Sequence, residues 1–125
     1  MIHLLYVDNN PEICTLIVSA CEKTGNIAVQ TLGSGAAALS LLSASCVDII
    51  VSADTLPGMN GITLLRSLRR RGNTTPFILF AANNTDQLKK EAFCNGANGF
   101  VSKNSLGKNA ISQLLRVLYW ATDSQ

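Results

Sequence analysis

Charged side chains stand directly after three short apolar segments of this chain, at Asp8, Asp54 and Lys103. The middle segment, residues 47–53, is rich in β-branched residues and is typical of a buried strand in a parallel sheet. The Pro-Gly pair that follows prevents this strand from continuing. Open α/β sheets carry their binding and catalytic groups at the carboxyl ends of such strands. The polar loop that begins at Asp54 is therefore the predicted position of the functional site.

The segments that must position these side chains alternate between strand and helix. Apolar runs bounded by turn residues predict five strands, over 4–7, 27–32, 47–53, 77–81 and 98–102. Apolar residues at helical spacing predict helices over 11–24, 36–44, 61–71 and 105–122, and a fourth helix that begins near residue 85 and ends at Cys94. Asn10 is typical of a helix N-cap, and the fourth helix has candidate N-caps in Asn84, Thr85 and Asp86. Short connections predict one α/β domain, 1–125, with helices on both faces of a parallel sheet.

The composition excludes several classes of protein. Apolar residues make up 47% of the 125 residues, enough for one substantial core, whereas the net charge of +2 is too small to imply nucleic-acid binding. No apolar run approaches the roughly 18 residues of a membrane span. The first apolar segment ends at Asp8, too early for a signal peptide. We therefore expect a cytoplasmic protein that binds neither nucleic acid nor a membrane directly.

The four cysteines, Cys14, Cys21, Cys46 and Cys94, do not have the spacing of a metal site. No pair is separated as C-x-x-C, and His3 is the single histidine of the sequence, so a zinc site is not expected. Without an export signal, the cysteines are interpreted as free thiols that pack like small apolar residues in a reducing cytoplasm.

Four arginines lie near the end of the predicted third helix, at positions Arg66, Arg69, Arg70 and Arg71. One interpretation is a basic patch that binds an acidic partner. We favour the other, in which the cations lie at a helix C-terminus and each stabilises the helix by about 0.3–1 kcal/mol.

Four motifs spread over essentially the whole chain make it similar to the receiver domain of response regulators, a module of two-component phosphorelays. They are Leu4-Leu5-Tyr6-Val7-Asp8-Asn9, Leu56-Pro57-Gly58-Met59-Asn60-Gly61, Pro76-Phe77-Ile78-Leu79-Phe80 and Gly96-Ala97-Asn98-Gly99-Phe100-Val101-Ser102-Lys103. The resemblance implies a doubly wound, five-stranded parallel sheet of order 2-1-3-4-5 flanked by five helices. This is the flavodoxin-like three-layer sandwich, which places its site where the strand order reverses.

In this family a histidine kinase supplies a phosphoryl group to an aspartate at the end of the third strand. Two acidic residues after the first strand hold Mg²⁺, and a Ser or Thr after the fourth strand and a Lys after the fifth bind the phosphoryl oxygens. The resemblance implies that Asp8 is the first acidic residue and Lys103 the lysine. Asn9 stands at the second acidic position and Ala81 at the hydroxyl position. Asn104 replaces the usual cis-proline, and we expect a trans bond there because a non-proline cis bond costs about 2.5–4 kcal/mol.

The phosphoryl-acceptor position holds Ala53. Counting back four residues from Pro57 gives Ala53, and counting forward from Asp48, which resembles the acidic residue that opens this strand, gives the same position. Adjacent side chains of a strand point to opposite faces, so we expect Asp54 to face away from the pocket as a solvated turn residue. Because Asp54 lies at the strand end, where this alternation relaxes, its use as a substitute acceptor stays open.

The charge balance also favours a degenerate site. Asp8 and Lys103 together have no net charge, and one carboxylate with the amide of Asn9 suits Mg²⁺ poorly, so we expect weak or absent Mg²⁺ binding. Without the metal, Asp8 and Lys103 are expected to pair directly and to lock the surrounding loops. Phe100 stands at the family's switch aromatic position, but Ala81 has no hydroxyl to move, so Phe100 is interpreted as a packing residue.

These departures predict a pseudo-receiver, not an enzyme, that acts through protein–protein contacts in a prokaryotic two-component pathway. The resemblance implies a contact face on the fourth helix, the fifth strand and the last helix. This face would bind a histidine kinase, another signalling protein or a second copy of the chain. Its candidate residues are Leu88, Lys89, Phe100, Lys108 and Trp120.

Three alternatives stay open. One is an active phosphoryl acceptor that uses Asp54. Another is a module that senses a small anion in a pocket near Asp8, Asn9 and Lys103. An enzyme on the same fold ranks last, because the chain has no Gly-rich phosphate loop and no nucleophile elbow. The sequence fits a stand-alone receiver and a domain of a larger regulator or kinase equally well.

Overall fold

Strands and helices alternate along the residues that the computed structural model describes, 1–103 and 108–123. The strands are β1 (Ile2–Val7), β2 (Ile27–Leu32), β3 (Ile49–Ala53), β4 (Thr55–Leu56), β5 (Met59–Asn60), β6 (Phe77–Ala81) and β7 (Gly99–Ser102). The helices are α1 (Pro11–Thr24), α2 (Gly35–Ala44), α3 (Gly61–Arg70), α4 (Asp86–Cys94) and α5 (Lys108–Asp123). The expected trans bond before Asn104 lies outside the described residues.

One parallel sheet has the order β2-β1-β3-β6-β7. The fourth and fifth strands of the predicted sheet are β6 and β7, so the predicted order 2-1-3-4-5 is confirmed. The short strands β4 and β5 form a separate antiparallel hairpin and do not join this sheet. In this hairpin Thr55 lies opposite Asn60, and Gly58 makes the turn with a φ of 76°, a region that favours glycine. Sequence patterns do not predict the hairpin, because two-residue strands are too short to show a period.

Side-chain oxygens cap the starts of the helices. Asn10 accepts hydrogen bonds from the backbone N–H groups of Glu12 and Ile13 at the start of α1. Of the candidate caps for α4, Thr85 holds the position, and its hydroxyl accepts from the N–H of Leu88 at 3.1 Å. Caps of this kind at α1, α2, α3 and α4 fix where these four helices begin relative to the strands that precede them.

The core has two parts, one on each face of the sheet. One packs α1 and α5 against the strands, with Ile17 and Leu118 among its members. The other packs α2, α3 and α4 against the strands, with Ala38, Leu65 and Ala92 among its members. Every residue of β3 and β6 is buried, as expected for central strands covered on both faces. The polar groups at the ends of these strands are therefore held by rigid backbone.

All four cysteines are free thiols, as predicted, but the prediction that they pack like small apolar residues is wrong for two of them. Cys21 belongs to α1 and is buried in the core, and burial raises the pKa of its thiol to about 11. Cys14 is half-buried, and its thiol donates to the carbonyl of Asp8. Cys46 and Cys94 are exposed free thiols, because they lie in the loop after α2 and at the end of α4.

Arg69 does more than the favoured interpretation of the arginine cluster predicts. Its half-buried guanidinium donates to the carbonyls of Asn73 and Thr75, both at 2.9 Å, and to the carbonyl of Gly96 at 2.8 Å. Burial lowers the pKa of Arg69. The side chain thus joins the end of α3 to the loop that precedes β7, a tertiary contact that helix periodicity does not indicate.

Membrane-spanning segments were predicted to be absent. Over the described ranges, none of the helices combines the length and the apolar composition needed to cross a bilayer.

Candidate functional site

Asp8 lies at the carboxyl end of β1, just before α1. Its backbone N–H donates to the carbonyl of Leu32 at the end of β2, at 3.0 Å. Its carboxylate is buried and accepts hydrogen bonds from the Tyr6 hydroxyl (2.8 Å), the Lys103 ammonium (2.8 Å) and the backbone N–H of Asn10 (3.0 Å). The carboxylate therefore has partners on both oxygens.

Lys103 follows β7 and reaches Asp8 across the edge of the sheet. Its backbone N–H donates to the carbonyl of Ala81 at 2.8 Å, which fixes the position of its Cα. The side chains of Lys103 and Asp8 are only 9% and 3% exposed. The ammonium also lies 5.3 Å from the centroid of the Phe80 ring, within range of a cation–π interaction. The direct ion pair expected from the sequence is present in the structure.

Tyr6 is a partner of Asp8 that sequence reasoning missed. It is fully buried, and its ring centroid lies 6.5 Å from that of Phe80. Burial raises the pKa of the phenol far above its usual range, and the neighbouring Asp8 carboxylate raises it further. The hydroxyl is therefore a neutral donor to the carboxylate. A tyrosine inside a buried strand carries no sequence signal that separates such a donor from a packing residue.

Ala53 is the last residue of β3 and lies opposite Phe80 of β6. It is buried, and its carbonyl accepts a hydrogen bond from the Ser52 hydroxyl at 2.9 Å. Gly61 lies so close that a side chain there would overlap this carbonyl. The position is therefore tightly packed, and its methyl group has no atom that could act as a nucleophile.

Asp54 turns its carboxylate toward the loop after β6. The carboxylate accepts from the backbone N–H of Ala82 (3.0 Å), the backbone N–H of Asn83 (3.3 Å) and the side-chain amide of Asn83 (3.1 Å). Asp54 is only 6% exposed, so the expectation of a solvated turn residue is wrong. The reason is that β3 ends at Ala53 and the chain bends there, which allows the next side chain to reach the neighbouring loop.

The structure brings most of the predicted site residues into one cleft of about 430 Å³. Its lining consists of Asp8, Asn9, Asn10, Ile13, Ala53, Asp54, Thr55, Ala82 and Lys103. Asp54 thus contributes a second carboxylate beside Asp8. The charge balance inferred from Asp8 and Lys103 alone is incomplete, because the cleft holds two carboxylates against one ammonium group.

Ala81 and Phe100 belong to the strands behind this cleft. Ala81 is the buried last residue of β6 and lies opposite Ser102 of β7. Phe100 is half-buried and packs against the core beside α2, α3 and α4. Neither residue lines the cleft, and Ala81 presents no hydroxyl toward it.

The donor set of the cleft suits Mg²⁺ poorly. Both carboxylates already accept hydrogen bonds, and Asn9 is exposed at the rim. Mg²⁺ requires a nearly octahedral set of oxygen ligands, so it would compete with the hydrogen bonds that Asp8 and Asp54 already accept. In the part of the chain that the structure describes, no three His, Cys, Asp or Glu side chains form a group that could hold a metal ion.

The residues predicted for the contact face differ in their exposure. Lys89 and Trp120 are exposed, with Trp120 61% exposed, whereas Leu88 and Phe100 are half-buried in the core contacts of α4 and β7. The side chain of Lys108 lies outside the described part of the chain.

Sequence comparison relates the chain to known proteins over nearly its whole length. The family model for the response regulator receiver domain matches residues 4–116. The chain is 34% identical over 118 residues to the heme response regulator HssR of Staphylococcus aureus, a match that covers 94% of this chain and 52% of that protein. The chain therefore spans about half the length of the curated relatives it matches.

Solved structures show the same architecture. The receiver domain of the Francisella response regulator 1452 superimposes with a TM-score of 0.88 at 26% identity, covering 100% of both chains. The chemotaxis response regulator CheY4 of Vibrio cholerae shares the fold, with a TM-score of 0.80 at 24% identity over 94% of this chain and 98% of that one. The strand order and the Asp8–Lys103 ion pair at the carboxyl edge of the sheet agree with the family match over residues 4–116. The chain therefore belongs to the response regulator receiver domain family.

Proposed function

We propose that this receiver domain is a pseudo-receiver, which acts through protein contacts and does not accept a phosphoryl group on an aspartate. The observation that carries the proposal is the buried methyl group of Ala53 at the end of β3. By the receiver motif this is the acceptor position, and covalent phosphorylation needs a carboxylate oxygen there. Substitution at the nucleophile removes the reaction even though the fold around it is kept.

Occupied carboxylates in the cleft support the same proposal. Asp54 accepts three N–H donors, and Asp8 is neutralised by Lys103 at 2.8 Å. A carboxylate that attacks phosphorus needs an oxygen lone pair aligned with the incoming donor, and N–H partners compete for those lone pairs. The cleft is therefore organised to satisfy its own charges.

We further propose that the domain needs no cofactor and binds Mg²⁺ weakly or not at all. Two carboxylates and an amide are present, but the carboxylates are held by donors from the protein itself. We also propose that the protein is not an enzyme, since among the described residues no group that lines the cleft is poised as a nucleophile or a general base.

Receiver domains interact with histidine kinases. For this chain we propose a contact with a histidine kinase, another signalling protein or a second copy through the α4–β7–α5 face, in the cytoplasm of a prokaryote. Exposed Lys89 and Trp120 are the side chains best placed to contribute. Replacing Trp120 with Ser should weaken capture of the purified partner kinase, or shift the sedimentation of a dimer, without lowering thermal stability.

The proposal is tested by intact-mass spectrometry after incubation with acetyl phosphate and Mg²⁺. The wild-type protein should keep its mass, as should the Asp54→Asn variant. The gain of one phosphoryl group by the wild-type protein would contradict the proposal. Loss of that gain in Asp54→Asn would identify Asp54 as the acceptor.

The second candidate function is that of an active acceptor using Asp54. The observation that favours it is the place of Asp54 in the same cleft as Asp8 and Lys103. The same mass measurement distinguishes the two candidates. Sensing of a small anion is less favoured, because Asp8 already neutralises Lys103 and Asp54 adds negative charge.

A further inference from the structure

We propose that Asp54 is a built-in anion that holds the loop between β6 and α4 in one arrangement without phosphate. We call the contacts of Asp54 with Ala82 and Asn83 the Asp54 clamp. The inference rests on the proposed function and adds how the site is regulated. The receiver is fixed in one state by its own side chain, and a phosphodonor does not change that state.

The hydrogen bonds of the Asp54 clamp use both oxygens of the carboxylate. Oδ1 accepts from the N–H of Ala82 at 3.0 Å, and Oδ2 accepts from the N–H of Asn83 at 3.3 Å and its side-chain amide at 3.1 Å. Successive N–H groups that converge on one point form a binding site for an anion. Because the anion belongs to the same chain, its occupancy does not depend on the concentration of a ligand.

The loop itself has little else to hold it. Residues 82–85 are polar or small and are all exposed, so burial of apolar surface does not order them. Asp54, by contrast, is 6% exposed and lies at the end of the rigid strand β3. The clamp therefore joins a fixed point of the sheet to a segment of low local contact density, which is the kind of segment that opens easily.

The helix α4 begins at Asp86, three residues beyond Asn83 of the clamp. Thr85 caps the helix through its hydroxyl, and Ala92 is the one fully buried residue among those of the helix. Besides Ala92, the half-buried Leu88 packs against the core, so few side chains anchor the helix and its position also depends on the contacts at its ends. Holding Asn83 in place thus fixes α4 and the contact face to which it belongs.

The negative charge of Asp54 is compensated differently from that of Asp8, the other carboxylate of the cleft. Over the described ranges, the ion pair of the structure joins Lys103 to Asp8, and no cation lies within salt-bridge distance of Asp54. Backbone and amide dipoles of Ala82 and Asn83 compensate the Asp54 carboxylate instead. The clamp therefore depends directly on the geometry of the loop, and loss of the carboxylate should release the loop.

Amide hydrogen exchange, followed residue by residue by NMR, tests the clamp in the unphosphorylated protein. In Asp54→Ala, the amides of Ala82 and Asn83 should exchange about tenfold faster or more, and those in the first turn of α4 should follow, because a charge-assisted bond is lost. Asn83→Ala removes one donor and should give a smaller rise. The matched control is Asp48→Ala, which removes a carboxylate that accepts the N–H of His3 at 2.7 Å near the amino end of β3. The control should leave the loop unchanged.

Exchange at Ala82 and Asn83 that stays within twofold of wild type in Asp54→Ala and in Asn83→Ala would overturn the inference. So would an equal rise in Asp48→Ala, because the effect would then be global. If Asp54→Ala fails to fold, Asn83→Ala alone decides. That variant loses only the side-chain amide of Asn83 and keeps both the Asp54 carboxylate and the backbone N–H at position 83. Phosphorylation of Asp54 in the mass experiment would refute the proposed function. The clamp would then still be tested separately, by hydrogen exchange in the unphosphorylated protein.

Discussion

Asp8 and Asp54 line the same cleft, but the protein compensates their charges in opposite ways. Asp8 has a cationic partner in Lys103, 95 positions away in the sequence, and a buried hydroxyl from Tyr6. Among the described residues, the partners of the Asp54 carboxylate are N–H groups of Ala82 and Asn83. One carboxylate is therefore part of the rigid edge of the sheet, and the other is the anchor of an exposed loop.

The difference indicates how far a change at each residue should spread. The Asp8–Lys103 pair joins the ends of β1 and β7, so its loss acts on the packed core of the domain. The Asp54 bonds join the end of β3 to a solvent-exposed segment, so their loss acts mainly on that segment. Substitutions at the two carboxylates and their partners can test this distinction.

Replacing Lys103 with Met should have the largest effect. The substitution leaves the buried Asp8 carboxylate without its cation, and breaking a buried pair in this way costs about 3–5 kcal/mol. Urea unfolding followed by circular dichroism measures the loss. The double variant Asp8→Asn with Lys103→Met should recover most of it, because no charge is then left unpaired. A loss below about 1 kcal/mol, as for an exposed pair, would contradict the role assigned to the ion pair.

Asp54→Ala should destabilise the domain less, by about 1.5–3 kcal/mol, which is the range for hydrogen bonds to a charged group. The donors that it frees on Ala82 and Asn83 lie in an exposed loop and can bind water. The control Asp48→Ala removes one exposed hydrogen bond, to the N–H of His3, and should cost less, about 0.5–1.5 kcal/mol. A loss as large as that of Lys103→Met would mean that the two carboxylates are equivalent.

Tyr6→Phe should have a smaller effect at neutral pH, about 1 kcal/mol, the net value of one hydrogen bond. Asp8 keeps its bonds to Lys103 and to the N–H of Asn10, so its charge remains compensated. Urea unfolding at neutral pH gives the value. A loss as large as that expected for Lys103→Met would show that the hydroxyl, and not the ammonium, carries the compensation.

The effect of Tyr6→Phe should also depend on pH. The folded protein raises the pKa of Tyr6 above that of the unfolded chain, so folding favours the neutral phenol. This contribution is fully present below about pH 10 and is lost above it, at about 1.4 kcal/mol per pH unit. Phe has no such proton, so the stability difference between wild type and variant should shrink as the pH rises above about 10. A constant difference across that range would contradict the buried, neutral phenol.

The fold was accessible from the sequence because its signals are repeated along the chain. Apolar runs end at turn residues five times, and the parallel order follows from the receiver motifs. Asp8 and Lys103 were also accessible, since each stands directly after a buried strand and parallel strands end at one edge. The hairpin at 55–60 was not, because two-residue strands have no period.

Side-chain direction at the ends of elements was the part that the sequence could not supply. The alternation rule placed Asp54 away from the cleft, but it applies within a strand, and β3 ends one residue earlier, at Ala53. Arg69 similarly looked like a helix-end cation, whereas its length lets it bind carbonyls of two loops. In each case the outcome depends on which backbone groups the fold brings within reach of the side chain.

The central claim is that contacts within the cleft hold the domain in one state whether or not a phosphodonor is present. The most direct test compares amide NMR spectra recorded before and after addition of acetyl phosphate and Mg²⁺. We predict that the signals of Ala82, Asn83 and α4 keep their positions. Saturable shifts of those signals in the wild-type protein, absent in Asp54→Asn, would contradict the claim and show that Asp54 switches the loop by accepting phosphate.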